Sequence, residues 1–258
     1  MKTATPAPGT RPTGVASEAA AAHVRGMFDQ IAPTYDRANH LLSLSVDRYW
    51  RWRTVRTLRR ALPASLAAGG APVLDICCGT GDLTLALRAG LDPGTVIVGA
   101  DFSHAMLALA RRKAHPDGGA APGWLQADAM RLPYPDATFA AITTGFGFRK
   151  LSDYRAGLAE FLRVLRPGGV LAILEVARPA GRVLGAGYRL YFERVLPLLG
   201  GWISGHPAAY RYLPESVGRF PTPPVLAEWM RAAGFAGVRY QRLAGGIASL
   251  HLGTRPGT

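Results

Sequence analysis

Apolar and polar residues follow each other along most of the chain in a pattern that predicts strands alternating with helices. Short apolar runs bounded by Gly, Pro or Asp alternate with segments whose apolar residues recur at helical spacing. The predicted strands begin at Val73, Val96, Trp124, Phe139 and Val170, followed by a hairpin of residues 238–243 and 247–252. Strand and helix alternating at this spacing predict right-handed βαβ units, and hence an α/β fold with a doubly wound, mostly parallel, seven-stranded sheet.

Three regions lie outside this alternation. The N-terminal segment is rich in Ala, Pro, Thr and Gly without apolar periodicity, which predicts a disordered tail; a transit peptide is the alternative. A helical pattern, interrupted at Pro33, precedes the first strand, and a long insertion follows the fifth. We therefore predict a tail at 1–22 and one domain at 23–258, divided into a helical cap (23–70), a cofactor-binding half (71–176), a lid insertion (177–225) and a final helix and hairpin (226–255).

The charge of the chain admits two interpretations. Its formal charge is +13, and only three of its 30 basic residues are lysine. Genome composition explains such an arginine bias, whereas an anionic membrane surface or nucleic acid would be a functional reason. The segment from Asp47 to Arg60 concentrates six arginines among aromatic residues, and it predicts a basic helix over residues 48–62.

Cysteine usage and hydropathy indicate the cellular compartment of the protein. The two cysteines, Cys77 and Cys78, are adjacent and cannot form a disulfide framework. No apolar run reaches the roughly 18 residues that a membrane-spanning helix needs. We therefore expect a cytoplasmic protein, with peripheral contact at the inner face of the membrane left open.

The first predicted strand runs into a glycine turn that is typical of a nucleotide-like ligand site. Gly79 and Gly81 let the backbone turn sharply and approach a ligand, and the free N–H groups of the next helix would face it. The third glycine of the dinucleotide fingerprint and the lysine of a P-loop are absent. Asp101 and Asp128 end the next two predicted strands, where a carboxylate can accept ribose hydroxyls. Their alternative interpretation is as helix caps or turn residues.

These stretches resemble the motif series of class I S-adenosylmethionine-dependent methyltransferases, which have a Rossmann-like sheet. The series comprises residues 75–81, Asp101, 128–129 and 163–169. Four further stretches are more narrowly similar to the quinone C-methyltransferase family of menaquinone and ubiquinone synthesis, namely residues 28–36, 47–51, 146–149 and 210–216.

The resemblance implies S-adenosylmethionine as the methyl donor and assigns its contacts. The glycine turn would hold the methionine part, Asp101 the ribose, and Asp128 with Ala129 the adenine. Asp75 would hold the turn or meet the amino group, and Met106 would pack on the ring, although core filling explains it equally well. The implied donor-binding residues are Asp75, Gly79, Thr80, Gly81, Asp101, Met106, Asp128, Ala129 and Gly145, the last standing where the family usually has Ser or Ala.

The resemblance also implies the reaction, which is methyl transfer to a ring carbon of a polyprenyl quinol. Arg149 matches the family's arginine, and because guanidinium stays protonated its expected role is to favour the phenolate form of the acceptor. Tyr35, His206 and Tyr210 are candidate acceptor contacts, with packing as the alternative for each. Lys150 stands where the family usually has Asn. No metal is expected.

Several functions remain as alternatives to methylation of demethylmenaquinol. They are methylation of the ubiquinone-pathway benzoquinol, methylation of another small molecule or lipid, and non-catalytic binding of S-adenosylmethionine. Nucleic acid is not expected as a partner, since the Asn/Asp-Pro-Pro-Tyr/Phe motif of amino-group methylation is absent. Oligomer formation is left open.

Overall fold

The computed structural model describes residues 15–68, 70–114, 121–179, 187–188, 191, 214 and 216–257. Within them, the strands are β1 (Val73–Ile76), β2 (Ile97–Asp101), β3 (Gly123–Gln126), β4 (Phe139–Gly145), β5 (Leu165–Val176), β6 (Ala236–Leu243) and β7 (Ala248–Thr254). They form one sheet in the order β3-β2-β1-β4-β5-β7-β6, and β7 runs antiparallel to both of its neighbours. The other pairs are parallel, which confirms the predicted doubly wound sheet.

Seven α-helices that lie entirely within the described residues flank this sheet. They are α1 (Val15–Leu42), α2 (Val46–Ala61), α3 (Ala64–Ala68), α4 (Asp82–Gly90), α5 (His104–Lys113), α6 (Tyr154–Val164) and α7 (Pro223–Ala232). Among the described residues, no helix has both the length and the apolar character needed to cross a membrane.

The sheet is covered on both faces, as the near-continuous apolar strands require. Alternate residues of β5 point to opposite faces, so Leu171 and Ile173 pack with α6 and α7 while Ala172 and Leu174 pack with α2 and α4. A third cluster joins α1 to α5 through buried Ile31, Ala38 and Met106. The cap therefore lies at the carboxyl ends of β1 and β2, where α/β sheets bind ligands.

The cap differs from its prediction in two respects. Helix α1 begins at Val15, so residues 15–22, predicted as tail, are helical; they include four consecutive alanines, which have the highest helix propensity. The helix also continues through Pro33, where an interruption was predicted. A proline inside a helix costs about 3 kcal/mol, and burial of the neighbouring Ile31 and Ala32 offsets that cost.

Two strand boundaries were also predicted wrongly. The fifth strand was expected to begin at Val170, but β5 already begins at Leu165, which pairs with Phe139 across an irregular register. Backbone hydrogen bonds between Arg255 and the glycines 168 and 169 hold this extended start. Strand β3 ends at Gln126, so Asp128 lies two residues beyond it in a turn.

Candidate active site

A cavity of about 480 Å³ lies at the carboxyl ends of β1, β2 and β4, between the cap and the sheet. This volume is in the usual range for a small-molecule site. Of the residues predicted from sequence, those lining it are Tyr35, Asp75, Gly79, Thr80, Asp101, Met106, Asp128, Ala129, Gly145 and Arg149. Gly81 does not line the cavity, and His206 and Tyr210 lie outside the described residues.

The turn after β1 depends on residues with positive φ. Cys77, Gly79 and Gly81 have φ of 57°, 56° and 86°. A Cβ on Gly81 would come within 2.7 Å of the Trp124 ring, so this glycine lets the turn pack on β3. A Cβ on Gly79 would meet nothing within 4 Å, because that position opens into the cavity. Gly79 therefore provides a bare backbone surface for a ligand.

Asp101 is the buried acceptor beside this turn. Its Oδ2 accepts from the Gly79 N–H at 2.8 Å and its Oδ1 from the Ser103 N–H at 2.9 Å. Burial raises the pKa of Asp101, and the two N–H donors oppose that rise. Each carboxylate oxygen can accept a second hydrogen bond, so the group keeps the capacity to bind two neighbouring hydroxyls. The turn and the carboxylate thus fit the ribose side of the expected donor.

Asp75 joins three elements beneath the turn. Its two oxygens accept from the Thr84 hydroxyl of α4 at 2.6 Å and the Thr143 hydroxyl of β4 at 2.8 Å. The carboxyl is fully buried, and this burial raises its pKa to about 7 although both hydroxyls lower it. Of the two roles implied by the resemblance, the geometry favours holding the turn.

The part of the cavity where the adenine is expected is built from less polar groups. Asp128 is exposed at the rim, and its Oδ1 accepts from the Met130 N–H at 2.9 Å. This contact matches the alternative interpretation of Asp128 as a turn residue. Ala129 and Met106 are buried and line the cavity. At Gly145, a Cβ would come within 3.1 Å of Leu83 Cδ2, so Leu83 occupies the space that a larger residue there would need.

Arg149 follows β4 in a 3-10 turn and is held from several directions. Its Nη1 donates to Glu175 Oε2 at 2.7 Å and to the Phe146 carbonyl at 2.6 Å, and its backbone N–H donates to Glu175 Oε1 at 3.0 Å. Glu175 is fully buried in β5. The pair fixes the guanidinium at the cavity wall. Glu175 was not among the predicted site residues, although a single acid within an apolar strand signals a buried partner.

The two cysteines lie below the turn and behave as small packing groups. Burial raises the pKa of Cys77 and of Cys78, so both thiols stay neutral. A Cβ on Gly147 would come within 2.2 Å of Cys77 Cβ, which shows how closely the turns after β1 and β4 pack. This arrangement gives both cysteines a packing role.

A polar cluster between the cap and the turn was missed entirely. The Thr80 hydroxyl donates to Asp36 of α1, and Lys113 of α5 donates to Asp36 Oδ2 at 2.8 Å and to Asp82 Oδ1 at 2.5 Å. Asp36 and Lys113 are far in sequence from Thr80 and Asp82, so no spacing could have grouped the four residues.

The same cluster contains three groups with the spacing of metal ligands. One ligand atom each from His40, Asp47 and Asp82 lies within 4.8 Å of the other two. Arg51 donates to Asp47 and lies 3.3 Å from Asp82, so a cation of the protein itself balances both carboxylates. We therefore interpret these residues as an ion-pair network.

Comparison with known proteins agrees with this architecture. A solved structure described as a SAM-dependent methyltransferase, possible histamine N-methyltransferase, from Thermotoga maritima has a similar fold (TM-score 0.60, 20% identity, covering 89% of this chain and 98% of that one). The demethylmenaquinone methyltransferase of Thermus thermophilus is 50% identical over 89% of this chain and its own full length. That of Deinococcus radiodurans is 48% identical over 90% of this chain and 92% of its own.

The family model described as the ubiE/COQ5 methyltransferase family matches residues 16–255. This match includes the cap, the glycine turn and the final hairpin, and it confirms the family expected from the motif series. The chain belongs to the ubiE/COQ5 methyltransferase family.

Proposed function

We propose that this protein transfers a methyl group from S-adenosylmethionine to a ring carbon of demethylmenaquinol. The observation that carries the proposal is that one cavity joins the Gly79–Asp101 pair to the fixed guanidinium of Arg149. Relatives at 48% and 50% identity are named demethylmenaquinone methyltransferase and match nearly their whole length. The methyl donor and the methyl acceptor would thus bind in the same cavity.

The residues of the turn and of β2 would hold the donor. Asp101 would accept both ribose hydroxyls, the bare backbone at Gly79 would contact the methionine part, and Asp128 would accept from the adenine amino group at the rim. Ala129 and Met106 supply apolar surface for the ring. When bound, the donor supplies an electrophilic methyl group on a sulfonium. The chain's part is to align the two reactants in a site that excludes water.

The acceptor would become nucleophilic when a ring hydroxyl loses its proton. A fixed cation lowers the cost of that phenolate, and Arg149 provides one whose position is set by Glu175. Lys150 brings a second cation to the same wall, with its Nζ 5.9 Å from the centre of the Tyr35 ring. Tyr35 would contact the quinol ring, and His206 and Tyr210 stay predicted acceptor contacts.

The apolar part of the cavity would hold the prenyl chain. Leu42, Leu44, Val46 and Trp50 line it from the cap, and Ile247 lines it from the turn before β7. Leu44 is 81% exposed as well, so the cavity opens at the turn between α1 and α2. A prenyl chain that leaves a bilayer at this opening would stay in apolar surroundings.

The surface around this opening favours peripheral contact with an anionic membrane. Tyr49 and Trp52 of α2 are each 48% exposed, and they lie beside exposed Arg48 and Arg56. The single acid of α2, Asp47, is buried. An aromatic and basic helix face without exposed acid matches the chemistry of an anionic lipid surface.

A methyl-transfer assay with two reduced quinones tests this function. The protein is mixed with S-adenosylmethionine carrying a deuterated methyl and with either demethylmenaquinol or the ubiquinone-pathway benzoquinol, and products are identified by mass. We expect labelled product from the naphthoquinol. Asp101→Ala should lower turnover at limiting donor, and Asp92→Ala, which removes an exposed carboxylate, should not.

The other outcomes separate the alternatives. Product only from the benzoquinol would reassign the acceptor within the family. Donor binding without product from either quinol would contradict catalysis of quinol methylation and favour a binding module.

A further inference from the structure

We propose that Lys113 is a positioning residue for the methyl donor, because it ties the cap to the glycine turn. The identity of the donor rests on the proposed function, whereas the contacts themselves do not. Lys113 is the last residue of α5, and its ammonium group lies where α1, the turn and the start of α4 meet.

Three oxygen atoms from these segments surround the ammonium group. Lys113 Nζ donates to Asp36 Oδ2 at 2.8 Å, to Asp82 Oδ1 at 2.5 Å and to Thr80 Oγ1 at 3.1 Å. The Thr80 hydroxyl in turn donates to Asp36 Oδ1. The side chains of Lys113, Asp36 and Asp82 are only 22–30% exposed, so these contacts are partly shielded from water.

A lysine suits this position for a geometric reason. An ammonium group has three donors that can point to three separate acceptors, whereas guanidinium is a planar fork suited to one carboxylate. The chain otherwise uses arginine almost everywhere, since only Lys2, Lys113 and Lys150 are lysines among 30 basic residues. Arg111 and Arg112 of the same helix turn are exposed, and Arg111 donates to the Trp124 carbonyl at 3.5 Å instead of joining the cap to the turn.

Asp82 extends the contact to the second cap helix. Its Oδ2 lies 3.3 Å from Arg51 Nη2 of α2 and 3.7 Å from His40 Nε2 of α1. Asp82 is the first residue of α4, directly after Gly81. Both cap helices therefore converge on the residue that follows the glycine turn, and Lys113 closes the network from the side of α5.

This arrangement predicts a larger effect on the donor than on the acceptor. Thr80 directly follows Gly79, whose N–H is bound to Asp101, so a shift of Thr80 would move the donor's backbone contacts. Arg149 and Glu175 are held by other elements, β4 and β5. Without Lys113, the cap and the turn lose the cation that joins them. The cavity wall at Arg149 keeps its ion pair with Glu175.

The test compares Lys113→Met with Arg112→Met as a matched control on the same helix. Calorimetric titration measures the Kd for S-adenosylmethionine, and steady-state assays measure KM for donor and quinol separately. We expect Lys113→Met to raise the donor Kd and KM about tenfold and to raise the quinol KM by a clearly smaller factor. Lys113→Arg should recover only part of the affinity, and Arg112→Met should match the unmodified protein.

A second variant, Asp36→Asn, keeps the test independent of how well Lys113→Met folds, because it weakens the same contact from the cap side. Unchanged donor affinity in folded Lys113→Met, or equal losses for donor and quinol, would overturn the inference. If the unmodified protein binds no S-adenosylmethionine, the proposed function fails instead. The two failures are therefore distinguishable.

Discussion

Three fully or nearly buried carboxyl groups organise the site, and each has a different task. Asp75 links β1, α4 and β4 through two threonine hydroxyls. Asp101 binds the glycine turn and keeps acceptor capacity for a ligand. Glu175 holds Arg149 at the cavity wall. Because burying a carboxyl is costly unless it is hydrogen-bonded or paired, these contacts constrain where the surrounding backbone can lie.

Asp75 should make the stability of the protein depend on pH. Its pKa rises from an ordinary 3.8 to about 7 on folding. Between those values the folded chain binds more protons than the unfolded chain, so the free energy of unfolding should fall as pH rises through this window. Urea unfolding of the protein and of Asp75→Asn across the window measures this.

The Asp75→Asn variant cannot ionise, and its stability should therefore fall less over the same pH window. The difference between the two curves isolates Asp75 from other groups that titrate there. Parallel curves would show that the Asp75 carboxyl is not the titrating group.

Glu175 should matter far more than a comparable glutamate in an ion pair nearer the surface. Glu175→Gln leaves the buried guanidinium of Arg149 without its carboxylate. We expect this to lower the free energy of unfolding by about 3–5 kcal/mol. Turnover should also drop, since Arg149 loses the contact that fixes it, while donor affinity should not change. Denaturant unfolding and steady-state kinetics measure both effects.

The matched control is Glu160→Gln, which breaks the half-buried pair with Arg163 on α6. We expect a cost of about 1 kcal/mol or less and normal turnover. Equal effects of the two substitutions would refute a special role for the Arg149–Glu175 pair.

At the scale of helices and strands, the exposed face of α2 carries the structural argument for membrane contact. The stacked rings of Tyr49 and Trp52 lie 5.9 Å apart, and the Arg56 guanidinium lies 5.1 Å from the Trp52 ring. Leu44, which is exposed and lines the cavity, directly precedes the segment that carries this face. In the proposed function, its apolar and cationic groups would contact the membrane that holds the lipid-borne substrate.

Vesicle binding should depend on this face. Arg56→Gln should weaken binding to vesicles containing anionic lipid by about 1 kcal/mol and leave binding to neutral vesicles nearly unchanged. Trp52→Ser should weaken binding to both. Sedimentation with vesicles of the two compositions provides the measurement.

The control for lost apolar surface is Val96→Ser, because Val96 is 55% exposed just before β2, away from the cavity opening. If Val96→Ser and Trp52→Ser had the same effect, binding would not be specific to α2.

The periodicity of the chain could predict most elements, because buried strands and amphipathic helices have distinct apolar spacings. The periodicity failed to predict boundaries that depend on contacts with residues distant in sequence. The start of β5 depends on backbone pairing with Arg255, and the continuity of α1 through Pro33 depends on burial against α5. Neither partner is near in sequence.

At the scale of the whole molecule, the meeting of the glycine turn with Asp101 could be predicted and much of its surroundings could not. The glycine turn and Asp101 follow strand ends, so their meeting is a property of any parallel sheet. The cluster of Asp36, Thr80, Asp82 and Lys113 depends instead on how α1 and α5 pack over the turn. No local pattern encodes that packing.

The central claim is that the cavity directs a methyl group from S-adenosylmethionine to a ring carbon of demethylmenaquinol. The most direct measurement is the NMR spectrum of the quinone product made with an isotope-labelled methyl donor, because carbon-bound and oxygen-bound methyl groups differ in chemical shift. We predict one labelled methyl on the ring carbon beside the prenyl chain. A labelled methoxy group, or no label in the quinone, would contradict the account.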